Sequence, residues 1–170
     1  MTNYHKDLTG SELHVNANLT GDVTSSGNAT TIPAATITPG MLATGSGAAT
    51  VATAQTTAST TYADLTTAGP SVTVTVGANG LALVGFHSQM SNNTAGAYCL
   101  VSVDVSGANT SAATDTRASG DNGGTQDFFG YGNTHLFTGL SAGSTTFKLK
   151  YRVSSGTGTF TSRHIWALPL

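Results

Sequence analysis

The side chains of this 170-residue chain best placed for chemistry lie in one run, DTRASGDNGGTQD, where Asp115, Asp121, Asn122 and Asp127 offer oxygen atoms at close spacing. Calcium takes several oxygen ligands from loops of this kind. The spacing is not that of an EF-hand loop, however, and Asp-Asn-Gly-Gly is also the ordinary wording of a tight turn, which is the reading adopted. The remaining acids of the second half, Asp64 and Asp104, stand apart from one another. His87, His135 and His164 form no His-x-His or HExxH spacing, and no serine sits in a nucleophile-elbow setting. His135 and His164 are flanked by apolar residues, as expected of imidazoles satisfied in a core or at a subunit interface. No pair of carboxylates stands out for glycoside hydrolysis. The single cysteine, Cys99, lies in the alternating run AYCLVSVDVS and reads as a free buried thiol, so neither an intramolecular disulfide nor a cysteine-only zinc site can form. The expectation is a protein that is not an enzyme and holds no metal or cofactor.

A second concentration of polar chemistry opens the chain. MTNYHKDLTGSELH carries Tyr4, His5, Lys6, Asp7, Glu12 and His14, whereas charged residues make up only 8% of the whole and the net charge is −2. Threonine (31) and glycine (21) fill the remaining space. A surface so short of charge is poorly protected against self-association, and copies of the chain are expected to cover part of it. Six Lys and Arg do not make the basic stripe that nucleic acid calls for. No apolar run reaches the length of a membrane span, and the N-terminus lacks the layout of a secretory signal. A soluble protein made in a cytoplasm is expected, with no nucleic acid and no membrane as partner.

The elements that position these groups read as three regions. Residues 1–15 hold the mixed charge. Residues 16–50 are Thr, Ala, Gly and Asn with isolated apolar positions at Leu19, Val23, Ile32, Ile37, Met41 and Leu42, and show no helical period beyond one possible turn after Pro39. Such a segment buries too little apolar area to fix its own backbone and needs partners. From about residue 51, strand follows strand: VATAQTTAS, TTYADL, SVTVTV, LALVGFHSQM and AYCLVSVDVSG. The glycines of GANG suit a tight hairpin connection after SVTVTV. Residues 108–126 read as a long exposed loop. DFFGYGNTHLF returns to strand texture, and TFKLKYRVS alternates Phe147, Leu149, Tyr151 and Val153 against an outward strip of Lys148, Lys150 and Arg152 that keeps its sheet face soluble. GTGTFTSRHIWALPL closes the chain. Seven or eight short strands with no amphipathic helix predict an all-β fold, an antiparallel, jelly-roll-like β-sandwich over 51–170.

LTGDVTSSGNATTIPAATITPGMLATGSG resembles segments of structural fibre proteins of tailed bacteriophages, in which three chains wind into a slender shaft. NYHKDLTGSELH resembles the N-terminal stretch of phage head-fibre and capsid-decoration proteins, and TTYADLTTAGPSVTVTVGANGLALVGFHSQMSNNTAGAYCLVSVDVSG resembles their β-sandwich domains. The resemblance covers nearly the whole chain. Val15-Asn16-Ala17 departs from the Pro-Lys-Gly run that often follows the histidine.

The resemblance implies a homotrimeric virion protein on the outer capsid surface. Residues 1–15 would bind the major capsid protein through Tyr4, His5, Lys6, Asp7, Leu8, Thr9, Glu12, Leu13 and His14, as extended peptides do when side chains enter pockets. Residues 16–50 would form a trimeric neck burying the six apolar positions named above, and the sandwich would project outward. The alternative is a tail-fibre tip recognising host-surface glycans, for which Tyr98, Phe128, Phe129, Tyr131 and Trp166 are the candidate groove-lining residues; alternation places at least half of these in the core.

Overall fold

The structure, a computed structural model, describes Thr24–Ser26, Ala29–Thr31 and residues 45–122 and 128–170. The chain divides into two units, Met1–Thr44 and Gly45–Leu170. In the first, β1 (Thr24–Ser26) and β2 (Ala29–Thr31) pair antiparallel, with Thr24 opposite Thr31 and Ser26 opposite Ala29.

The second unit is a sandwich of two antiparallel sheets. One contains β3 (Gly47–Val51), β4 (Gln55–Thr57), β6 (Ala82–Asn92), β9 (Phe129–Phe137) and β11 (Gly158–Pro169) in the order β3-β11-β6-β9, with β4 beside β11. The other runs β5-β10-β7-β8, from β5 (Ser71–Val76), β7 (Tyr98–Gly107), β8 (Ser119–Asn122) and β10 (Gly143–Val153). Every connection except β3–β4 and β7–β8 crosses from one sheet to the other, the winding of a jelly roll.

Alternation builds the core. Val72, Val74 and Val76 of β5, Cys99, Val101, Val103 and Val105 of β7, and Phe147, Leu149, Tyr151 and Val153 of β10 point inward from one sheet. Val84, Phe86 and Met90 of β6 meet them from the other, with Phe160, Ile165 and Ala167 of β11. The strand over residues 158–169 keeps its inward set only because its register shifts between Thr161 and His164, where Ser162 takes a φ of 48°. That bulge adds one residue and turns Arg163 inward, which the sequence pattern alone does not reveal.

Two features differ from the sequence expectation. The first sheet takes in Gly47–Val51, upstream of residue 51, because β11 is long enough to pair Arg163–Ala167 with this strand after β4 has covered Gly158–Phe160. The stretch 108–126 is more than a loop. It carries a three-residue 3-10 turn (Asp115–Arg117) and β8, and with the Val105–Ser111 bridge it lines the edge of β7 whose backbone groups would otherwise lack partners.

Candidate functional site

The connection from β4 to β5 runs along β10, where Ala63 exchanges two backbone hydrogen bonds with Tyr151 and Ser59 accepts from Val153. This places Tyr62 and Asp64 over the basic strip. Asp64 accepts hydrogen bonds from Lys148 at 3.1 Å and Lys150 at 2.8 Å. Burial alone would raise the Asp64 carboxyl, but the two ammonium groups outweigh it and hold it below its ordinary value of 3.8. Arg152 donates through two nitrogens to Asp115, and Tyr62 donates to the same carboxylate at 2.9 Å. The guanidinium holds Asp115 below its ordinary value, aided by Tyr62 and opposed by burial, while burial and the Asp115 charge raise the Tyr62 hydroxyl. The strip does point outward, as expected, but its cations are sequestered by acids rather than presented to solvent or a partner.

Arg163 is fully buried with no carboxylate beside it. Its guanidinium donates to the carbonyls of Thr67, Gly69 and Thr53 and to Gln55 Oε1 at 3.1–3.3 Å, and stacks 5.4 Å from the Tyr151 ring centroid. The charged groups described here fasten the crossover to the sheets; they do not converge on an open cavity. No cluster of three or more His, Cys, Asp or Glu that could hold a metal exists among the described residues. His87 and His164 face each other across β6 and β11, while His135 packs edge-on to Phe137 at 4.9 Å. Cys99 is buried, with its thiol 3.2 Å from the Ser91 carbonyl.

The outer face of the β3-β11-β6-β9 sheet is of another character. Its cross-strand rows are Leu168–Leu83–Leu136, then Ala48–Trp166–Gly85–Thr134, then Thr50–His164–His87–Gly132, then Thr161–Gln89–Gly130. No Lys, Arg, Asp or Glu occurs in these rows, and Leu136 is 46% exposed. Trp166 lies flat over Gly85, a position where any side chain would collide with the indole. The apolar half of this face lies at the end where the chain enters the sandwich, since Gly45 sits against Pro169.

The opposite end of the same sheet carries an open cavity of about 300 Å³ lined by Ser91, Asn92, Asn93, Phe128 and Thr159. Of the five aromatic candidates, only Phe128 lines it. Phe129 and Tyr131 contact each other edge-on at 6.4 Å on edge strand β9, Trp166 covers Gly85, and Tyr98 begins β7 in the other sheet. None of the five is fully buried: Phe128, Phe129 and Tyr98 are exposed, Trp166 is half-buried, and Tyr131 is half-buried against the core. Alternation does turn Tyr131 toward the core, but the ring stays half-exposed because β9 is an edge strand and β8, at the edge of the other sheet, is only four residues long. The expected capsid contacts Tyr4, His5, Lys6, Asp7, Leu8, Thr9, Glu12, Leu13 and His14 lie outside the described residues. So do the neck positions Leu19, Val23, Ile32, Ile37, Met41 and Leu42, and Asp127.

Fold and surfaces together define an antiparallel two-sheet β-sandwich with one charged and one uncharged face. No family model and no curated protein matches the chain. Among solved structures it is similar to that of Eiger TNF from S. frugiperda, at 11% identity and a TM-score of 0.36, covering 69% of this chain and 91% of that one.

Proposed function

We propose that this chain is a structural, non-enzymatic virion protein. As a homotrimer it would bind the outer surface of a phage capsid through residues 1–15 and stabilise the shell. The observation that carries the reading is that strands β3 to β11, all within residues 47–169, complete both sheets of the sandwich. The HKDLTGSELH stretch lies upstream of all these strands in the sequence, and its charges, rings and spaced leucines are of the kind an extended peptide uses to dock on a partner.

Trimerisation gives a short arm enough affinity. A peptide of this length buries less than the roughly 1,200–2,000 Å² of a standard interface. Three arms on one trimer gain avidity, a factor of about 10²–10⁴ when geometry allows simultaneous engagement. The uncharged, leucine-bearing half of the β3-β11-β6-β9 face supports self-association, because copies can meet there without like-charge repulsion. A protein that binds the assembled shell but not its dissociated subunits stabilises the shell by mass action.

The test is co-sedimentation of undecorated shells with the full chain and with a chain lacking residues 1–15. Binding in numbers comparable to the shell's symmetry sites, lost on truncation, is the expected result. Equal binding of both chains would remove the arm from the reading. Binding of neither to shells, with attachment at the tail, would favour the tail-fibre alternative.

A further inference from the structure

We propose that the cavity at the far end of the β3-β11-β6-β9 sheet is a binding site for a neutral pyranose sugar. This inference concerns the sandwich alone and stands whether or not the arm binds a capsid. The cavity lies where β6 ends and β11 begins, with Thr159 opposite Ser91, whereas the chain enters the sandwich at the other end, beside Pro169. Its volume of about 300 Å³ is at the small end of ligand sites and suits one or two sugar rings.

The lining specifies the ligand class. No titratable side chain is among the five lining residues, so among the described residues neither an anion nor a cation finds its counter-charge there. A purely apolar ligand would strip water from amide and hydroxyl groups without replacing its hydrogen bonds. A pyranose meets both demands, with hydroxyls that donate and accept around its rim and a C–H face that packs on an aromatic ring. Phe128, 52% exposed, supplies the ring. The hydroxyls of Ser91 and Thr159 are engaged by no other described residue and can each donate and accept.

The two asparagines divide the remaining work. Asn92 is buried and satisfied: it donates to the Ser155 carbonyl at 3.0 Å and accepts from the Thr94 backbone at 2.9 Å, fixing the loop. Asn93 accepts from the Thr157 backbone at 2.8 Å and the Thr94 hydroxyl at 3.0 Å through one oxygen, Oδ1. Its orientation is thereby set while its amide nitrogen keeps two donors for a ligand. Gly156, with φ of 68°, lets the β10–β11 turn close onto this loop; a Cβ there would come within 2.8 Å of both asparagine Oδ1 atoms. The site is thus held in shape before any ligand arrives, which lowers the ordering cost of binding.

Saturation-transfer NMR on the full chain, with the methyl glycosides of glucose, galactose, mannose and N-acetylglucosamine as probes, tests this. At least one of these neutral sugars is expected to receive saturation at its ring protons, with affinity on the order of millimolar for so shallow a site. Phe128→Ala and Asn93→Ala should each weaken it by about tenfold or more. Tyr98→Ala, which removes an exposed ring outside the cavity, should leave it unchanged, and unchanged melting of all three variants would show that folding is intact. No transfer to any of the four glycosides would overturn the proposal, as would transfer that survives in the Phe128→Ala/Asn93→Ala double variant.

Discussion

Arg163 shows how one residue can hold three segments together. Its guanidinium takes the carbonyls of Thr53, Thr67 and Gly69 and Gln55 Oε1, so truncating it removes four hydrogen bonds at once and leaves the buried Gly69 carbonyl with the Tyr151 hydroxyl alone. Replacing a buried ion pair by apolar residues can be neutral, but here the carbonyl acceptors are backbone and cannot be replaced with it. Arg163→Met is therefore expected to cost about 3 kcal/mol or more, measured by urea unfolding. Gly85 sets the opposite constraint. A methyl group there must lift Trp166 off the sheet, so Gly85→Ala should cost about 1–3 kcal/mol and red-shift the fluorescence of the chain's one tryptophan. Neither role could be read from residue type. Arg163 sits in SRHIW, where strict alternation from Phe160 would mispredict its side, and only the bulge at Ser162 restores the parity.

At the scale of elements, the attachment of the β4–β5 crossover depends on pH through two acids, Asp64 within it and Asp115 of the β7–β8 connection, which accepts from Tyr62. Both carboxyls have native values below the ordinary 3.8, so the unfolded chain takes up protons first as pH falls. Their contribution is present in full above that value and is lost as pH drops through the lowered native values. Asp64→Asn should therefore flatten the acid limb of the stability curve between about pH 5 and pH 2, and leave a smaller difference between neutral and acid melting temperatures. A curve parallel to that of the parent would show that Asp64 carries none of it. The solvent exposure of both acids limits each effect to the modest range of partly exposed ion pairs. Strands β5 and β10 were legible because SVTVTV and TFKLKYRV alternate without interruption. Strands β3 and β8 were not, since GAATV and SGDN lack large apolar residues and owe their pairing to the partner edge. The crossover's cover over the basic strip was likewise hidden, because Asp64 lies more than eighty residues from its lysines. A chain beginning at residue 52 would lose β3 and the packing of Gly47 on Val72. It should unfold on the order of 2–3 kcal/mol more easily than one beginning at residue 45, as read by urea denaturation.

For the whole molecule, the partition of charge between the two outer faces is the organising fact. Lys148, Lys150, Arg152 and Asp104 lie on the β5-β10-β7-β8 face with Asp64 and Asp115 over them, and the opposite face carries no formal charge in any row. The low charge content raises the expectation of a covered surface, but a composition has no direction, and it is the register of β6, β9 and β11 that shows which face lacks charge. If copies meet on the Leu83–Leu136–Leu168 row, a single charge there is repeated in every protomer and buried against its own kind. Leu83→Glu should then convert the assembly to monomers in sedimentation velocity at micromolar concentration. The sandwich itself should melt nearly as before, because the side chain points away from the core. Thr73→Glu, an outward substitution on the charged face, should leave the assembly intact. A parent chain that sediments as a monomer, or a Leu83→Glu variant that sediments with it, would mean that this face is not where copies meet. The proposed binding of the arm to a shell would then lose the avidity argued for it from three copies.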